Sequence, residues 1–236
     1  MMEALILMSR VPIPGKTKTR LMKVLTGEAC AEIHRCFLLD LFNVFKYIKK
    51  DKDIYLTYTP EDSFFLMKEI VPDYINCFPQ KGEDLGEKML NAFEYVFGRG
   101  YEKVALMGSD IPDIQPGEIE DSFDKLEKSD VVLGPTFDGG YYFIGMKKLY
   151  KELFTADLKW GKKTVLAGTF DIANSLGLKV NLINKHRDID TKEDLVYYKK
   201  RIDNGEFEDM ILPENTINFI RDKWGDSGHV KKCIEG

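Results

Sequence analysis

The chain lacks any apolar run of about 18 residues, which excludes a membrane-spanning helix on sequence grounds. Its start, Met1-Met2-Glu3-Ala4-Leu5-Ile6-Leu7-Met8, has no basic segment and too short an apolar stretch for a secretion signal, so it reads as a strand. Only four cysteines occur (Cys30, Cys36, Cys77 and Cys233), without CxxC spacing or histidine neighbours. A zinc site or disulfide framework is therefore not expected, and free thiols in a cytoplasmic setting are. A basic excess is missing too. The 236 residues carry 34 Lys and Arg against 39 Asp and Glu, a net charge of -5. No overall field exists to hold a nucleic acid duplex. There is no GxxxxGK[ST] loop, no internal repeat and no low-complexity tract.

What is present is alternation. Ala4–Met8, Ile54–Tyr58, Ile75–Phe78, Val104–Met107, Val131–Leu133, Tyr141–Ile144 and Leu178–Ile183 read as strands. Between them lie helical patterns. Ile33, Phe37, Leu41, Val44 and Ile48 recur every three or four residues, and further helices are expected over 85–97, 116–126, 162–176 and 191–202. Thr59-Pro60-Glu61-Asp62 reads as another helix start, with Thr59 as N-cap. Strands alternating with helices predict a mainly parallel α/β sheet. Residues 1–204 are read as one domain. Residues 205–236, more polar and carrying one amphipathic piece at Ile217–Trp224, are read as a C-terminal extension.

Five segments carry chemistry. From Arg10 to Lys23 there are five basic residues and no acid, directly after the first strand. Pro12 and Pro14 stiffen this loop, Gly15 permits tight backbone geometry, and Lys16, Lys18 and Arg20 can face a polyphosphate. Ser109 and Asp110 follow a buried strand, where open α/β sheets bind ligands. A carboxylate there suits Mg²⁺, which prefers one or two carboxylates plus substrate phosphates, although Asp110 also reads as an N-cap or turn residue before Pro112. Asp188 and Asp190 point the same way if extended and can share that cation, although Thr191-x-x-Asp194 also reads as a capping box. His186 precedes them as a secondary candidate. Asp138-Gly139-Gly140 allows close backbone approach to a ligand, or simply a tight turn. Asp84-Leu85-Gly86 opens a helix whose N–H groups can meet an anion or a base edge.

Taken in order, these segments resemble the DUF2064 family of the nucleotide-diphospho-sugar transferase (GT-A-like) superfamily. The matching residues are Pro12, Pro14-Gly15, Lys18-Thr19-Arg20-Leu21, Asp84-Leu85-Gly86-Glu87-Lys88-Met89, Gly108-Ser109-Asp110, Asp138-Gly139-Gly140-Tyr141-Tyr142, Trp160-Gly161 and Asp188-x-Asp190-Thr191. Arg10 stands where lysine is usual and Lys88 where arginine is. A more distant likeness is to 2-phospho-L-lactate guanylyltransferases. The resemblance implies a GT-A Rossmann-like α/β/α sandwich, with a nucleotide over the Arg10–Arg20 loop and Mg²⁺ or Mn²⁺ at Asp110 and Asp190.

The expected activity is a metal-dependent transferase that moves a group from a nucleotide or nucleotide-sugar donor to a small-molecule acceptor. Glycosyl transfer is the first reading. Nucleotidyl transfer with pyrophosphate release, and nucleotide binding without turnover, are the alternatives. Asp110, Asp138, Lys18 and Arg20 are expected to be catalytic. Arg10, Pro14, Gly15, Lys16, Asp84, Leu85, Gly86, Ser109, Gly139 and Gly140 are expected, with Lys18 and Arg20, to hold the nucleotide.

Overall fold

A computed structural model of the chain describes residues 2–156, 158, 160, 161 and 163–224. In order, the elements are β1 (Glu3–Arg10), α1 (Gly27–Ile48), β2 (Asp53–Thr59), β3 (Ile75–Pro79), α2 (Leu85–Phe97), β4 (Lys103–Gly108) and α3 (Pro116–Lys128). Then come β5 (Val131–Pro135), β6 (Tyr141–Met146), α4 (Glu152–Thr155), α5 (Val165–Ser175), β7 (Val180–Leu182), α6 (Lys192–Asp203) and α7 (Glu214–Phe219).

The strands form one sheet in the order β3-β2-β1-β4-β6-β5-β7. All neighbours are parallel except β6, which runs antiparallel between β4 and β5. Side chains alternate along β1 between two helical layers, so Ala4, Leu5, Ile6 and Leu7 are all buried. Leu5 and Leu7 face the layer of α1 and α3, while Ala4 and Ile6 face that of α2, α4 and α5. The result is the expected α/β/α sandwich. β1, β2 and β4 end together at Arg10, Thr59 and Gly108, so the loops that follow them gather on one edge of the sheet.

Several boundaries differ from the sequence reading. Thr59 does not cap a helix. Its carbonyl accepts from Val11 N, keeping it in β2, and a 3-10 turn begins at Glu61. The strand expected over 178–183 is confined to β7. Of the helix expected over 162–176, α5 covers Val165–Ser175; Lys162 lies outside the described residues, as does Cys233.

The segment after residue 204 packs onto α1. Phe207, Ile217, Phe219, Ile220 and Trp224 are buried in one cluster with Leu21, Ile33 and Phe37. The buried Asp40 carboxylate on α1 fixes it there, accepting from the backbone N–H and side chain of both Asn215 and Thr216. Among the described residues, no helix is long and apolar enough to cross a membrane.

Candidate functional site

At the loop edge of the sheet lies a cleft of about 600 Å³. Its walls come from the end of β1 (Met8, Ser9, Arg10), the basic loop (Lys16–Arg20), α2 (Leu85, Lys88, Met89) and the end of β4 (Gly108–Asp110). A smaller compartment of about 260 Å³ shares Arg20, Leu85, Asp110 and Asp190 with it, and adds Asp138, Gly140, Trp160 and Asp188. Asp110 therefore stands between two rooms. Its carbonyl accepts from Ile189 N at 3.0 Å, which ties the β4 loop to the segment that carries Asp188 and Asp190.

Lys18 is the centre of this arrangement. Its side chain is only 4% exposed, and its ammonium lies 2.7 Å from Asp110 Oδ1, 2.8 Å from Asp190 Oδ1 and 2.8 Å from the Ile189 carbonyl. The three contacts use its three N–H donors. Phe37 lies beneath it, with the ammonium 5.2 Å from the ring centre. Lys18 has φ 53°, the left-handed region, and no other described non-glycine residue has positive φ. Burial alone would lower its pKa; the Asp110 and Asp190 charges raise it instead. For Asp190 burial acts upward, and Lys18, followed by Arg20, holds it below the ordinary carboxylate value. Asp188, close to these acids, is pushed up to about 6 by burial and by the charges of Asp190, Asp138 and Asp110.

His34 on α1 was not foreseen. It is buried and lines the larger cleft. Burial, with Asp110 opposing it, pulls its pKa down to about 4, so the ring is neutral near pH 7. Nε2 lies 3.1 Å from the Arg10 carbonyl, which can only accept, so Nε2 carries the proton. Nδ1 is left as a bare acceptor without a partner, 4.0 Å from Asp110 Oδ1. The signal was present in the sequence: His34 interrupts the apolar stripe of α1 one turn before Phe37. Lys88 on α2 and Trp160 belong to the family motifs but not to the expected site residues. Both line the site.

The remaining expected residues divide. Arg10, Lys16, Lys18, Arg20, Leu85, Ser109, Asp110, Asp138, Gly140, Asp188 and Asp190 line one or both compartments. Pro14, Gly15, Asp84, Gly86 and Gly139 line neither, and have local work instead. Gly15 takes a left-handed turn (φ 72°) that sits against Gly27 at the start of α1. Asp84 caps α2 by accepting from Glu87 N at 2.8 Å. Gly86 leaves room for Trp160, whose Nε1 a Cβ would meet at 2.4 Å. Gly139 (φ 91°) turns beside the Lys163 carbonyl. Asp138 Oδ1 accepts from Thr136 Oγ1 and Gly140 N, so one oxygen of that carboxylate is spent on its own turn. His186 pairs with Glu118 at 2.7 Å.

The donor set fits a hard divalent cation. Asp110, Asp138, Asp188 and Asp190 offer only oxygen ligands around the smaller compartment. Among the described residues, no three Asp, Glu, His or Cys side chains are gathered closely enough to hold an ion by themselves. Mg²⁺ and its like do not require such a cage where substrate phosphates complete the shell.

Residues 47–162 match the family model described as "Uncharacterized protein conserved in bacteria (DUF2064)". No curated protein matches the chain. Among solved structures, a candidate nucleotide-diphospho-sugar transferase from Desulfovibrio desulfuricans is 30% identical, with TM-score 0.83, over 94% of this chain and 96% of that one. The 4-diphosphocytidyl-2C-methyl-D-erythritol synthase of Anaerococcus prevotii is 14% identical with TM-score 0.58, over 86% of this chain and 98% of that one. Rv0371c of Mycobacterium tuberculosis, solved in complex with manganese, is 15% identical with TM-score 0.54, over 86% and 99%. The latter two likenesses are of fold alone. With the family model spanning Asp110 and Asp138, and the 30%-identical relative covering nearly the whole chain, the protein belongs to the DUF2064 family of the nucleotide-diphospho-sugar transferase superfamily.

Proposed function

We propose that this protein is a metal-dependent transferase that takes a group from a nucleotide-sugar to a small acceptor. The observation that carries this reading is the position of Asp110 between two joined compartments of different character. The larger has Arg10, Lys16, Arg20 and Lys88 on its walls, cations suited to a diphosphate. The smaller is lined by Trp160 and Tyr141 together with Asp138 and Asp188. Aromatic faces with carboxylates suit a sugar ring, whose C–H face stacks and whose hydroxyls donate.

A divalent cation held by Asp110 and Asp190, with Asp188 beside them, would neutralise charge on the departing phosphate. The chain's own residues do the rest. Arg10, Lys16, Arg20 and Lys88 bind and orient the phosphates and stabilise the leaving group. Asp138, anchored by Thr136 and Gly140, orients an acceptor hydroxyl through its second oxygen. Relatives of known name support a nucleotide as the shared ligand: one is a candidate nucleotide-diphospho-sugar transferase and another forms a diphosphocytidyl product.

A second reading is nucleotidyl transfer. Four cations on the larger cleft also suit a triphosphate, and the 4-diphosphocytidyl-2C-methyl-D-erythritol synthase shares the fold. Incubation with nucleoside triphosphates and nucleotide-sugars, each with candidate acceptors, separates the two. Release of nucleoside diphosphate from a nucleotide-sugar supports glycosyl transfer. Pyrophosphate release from a triphosphate overturns it in favour of nucleotidyl transfer.

A further inference from the structure

A lysine in a basic loop beside a nucleotide cleft is ordinarily read as a phosphate ligand. Lys18 is not free to be one in this structure. Its ammonium spends all three donors on Asp110, Asp190 and the Ile189 carbonyl, and its side chain is almost wholly buried. The loop bends into a left-handed conformation at Lys18 to put it there, which a lysine adopts only under tertiary constraint. Four other cations, Arg10, Lys16, Arg20 and Lys88, already line the cleft. Lys18 has a different chemical task.

We propose that Lys18 is an internal counter-ion that stands in for the divalent cation, holding Asp110 and Asp190 together while the cation is absent and competing with it for the same two carboxylates. The proposal rests on the reading of Asp110 and Asp190 as metal ligands. Without a cation of some kind, two carboxylates brought this close repel each other and the Asp190 segment would swing away from β4. The ammonium removes that repulsion at a cost: a metal ion arriving alone must displace a buried, fully bonded positive charge. A metal ion arriving with polyphosphate brings its own negative charge, which gives the released ammonium a new partner. Free Mg²⁺ or Mn²⁺ therefore binds weakly, and the cation enters chiefly with the nucleotide.

The bare Nδ1 of His34 agrees with this assignment. It lies 4.0 Å from Asp110 Oδ1, unpartnered and buried, so it is an acceptor aimed at the oxygen that Lys18 occupies. It offers the displaced ammonium a further acceptor close by.

The test is Mn²⁺ alone, with free Mn²⁺ followed by its EPR signal, titrated into the full-length wild type, Lys18→Gln, Lys18→Arg and Asp110→Asn. Lys18→Gln is expected to bind Mn²⁺ about tenfold more tightly than wild type or more, since a unit charge touching both ligands is gone. Lys18→Arg keeps the charge and is expected to stay close to wild type. Asp110→Asn is expected to lose binding. Equal or weaker Mn²⁺ binding by Lys18→Gln overturns the proposal while leaving the metal reading intact. Mn²⁺ binding by none of the proteins overturns this proposal, since Lys18→Gln should bind the free ion; binding unchanged in Asp110→Asn overturns the metal reading and this proposal with it. Should Lys18→Gln not fold alone, Mn²⁺ is expected to restore its cooperative unfolding transition; a chain that stays unfolded at saturating Mn²⁺ counts against the proposal.

Discussion

The Lys18 ammonium donates to the Asp190 carboxylate at 2.8 Å across 172 residues of chain, and the same ammonium lies 2.7 Å from Asp110. The basic loop, the end of β4 and the approach to α6 are thus closed around one charge. Removing Asp190 leaves a buried ammonium with one carboxylate instead of two. Asp190→Ala is expected to lower stability by about 3 kcal/mol, as for breaking a buried ion pair on one side. Denaturant unfolding checks it. A loss within the error of the extrapolation would mean that the carboxylate is replaced without cost by solvent.

Glu118 and His186 give a pH signature. Burial lowers the His186 pKa, but the hydrogen bond and charge of Glu118 outweigh it and raise it above 6.5. Burial raises that of Glu118, and His186 outweighs it, taking it below 4.5. A raised histidine stabilises fully below 6.5 and loses that contribution as pH rises through its folded value. A depressed glutamate stabilises above 4.5 and loses it as pH falls through its folded value. The pair therefore contributes most between pH 4.5 and 6.5. Glu118→Gln keeps an acceptor for Gln115 N but no charge. The Tm difference from wild type is expected to be greatest in that window and to shrink above it. A difference that does not vary with pH would contradict the assignment.

Gly86 controls the smaller compartment from behind. A Cβ there would stand 2.4 Å from Trp160 Nε1 and 2.7 Å from the Phe154 carbonyl. Gly86→Ala is expected to displace Trp160 and to alter its fluorescence while Trp224, buried elsewhere, is unchanged. KM for the donor should rise about tenfold, the worth of one misplaced contact. Unchanged fluorescence and KM would contradict both the displacement of Trp160 and its place in the donor site.

Asp40 is the anchor of the C-terminal segment. Four donors from Asn215 and Thr216 converge on it. Asp40→Ala leaves them without their acceptor, at an expected cost of about 2–3 kcal/mol. The unfolding midpoint measures this, and Trp224 emission should shift toward that of an exposed indole. A wild-type midpoint would mean that apolar packing alone holds the segment.

Much of this was legible in the residues. The apolar runs placed every strand, most sharply β1, β4, β5 and β6, whose central residues are buried on both faces and leave few polar positions to blur the pattern. That Asp110 and Asp190 come together was legible because one ends a buried strand and the other precedes a helix start on the same edge of the sheet. The fate of Lys18 was not. Its charge was visible, but a fold closing over 172 residues decided whether that charge faced a ligand or two carboxylates. Gly86 and Asp84 looked like ligand contacts because helix starts bind anions; whether the space beyond is taken by Trp160 is a question of packing. Ile217–Trp224 looked separable since polar residues surround it in sequence. Its apolar face is matched by Ile33 and Phe37 on α1, far along the chain.

The proposed transferase requires that nucleotide phosphates and a divalent cation meet at Asp110. Crystals soaked with Mn²⁺ and a mixture of nucleotides test it most directly, through the anomalous signal of manganese. The predicted result is a manganese peak in contact with Asp110 and Asp190, with phosphate density extending toward Arg10, Lys16, Arg20 and Lys88. Nucleotide bound outside this cleft, or phosphates at the basic loop with no manganese at Asp110, would contradict it.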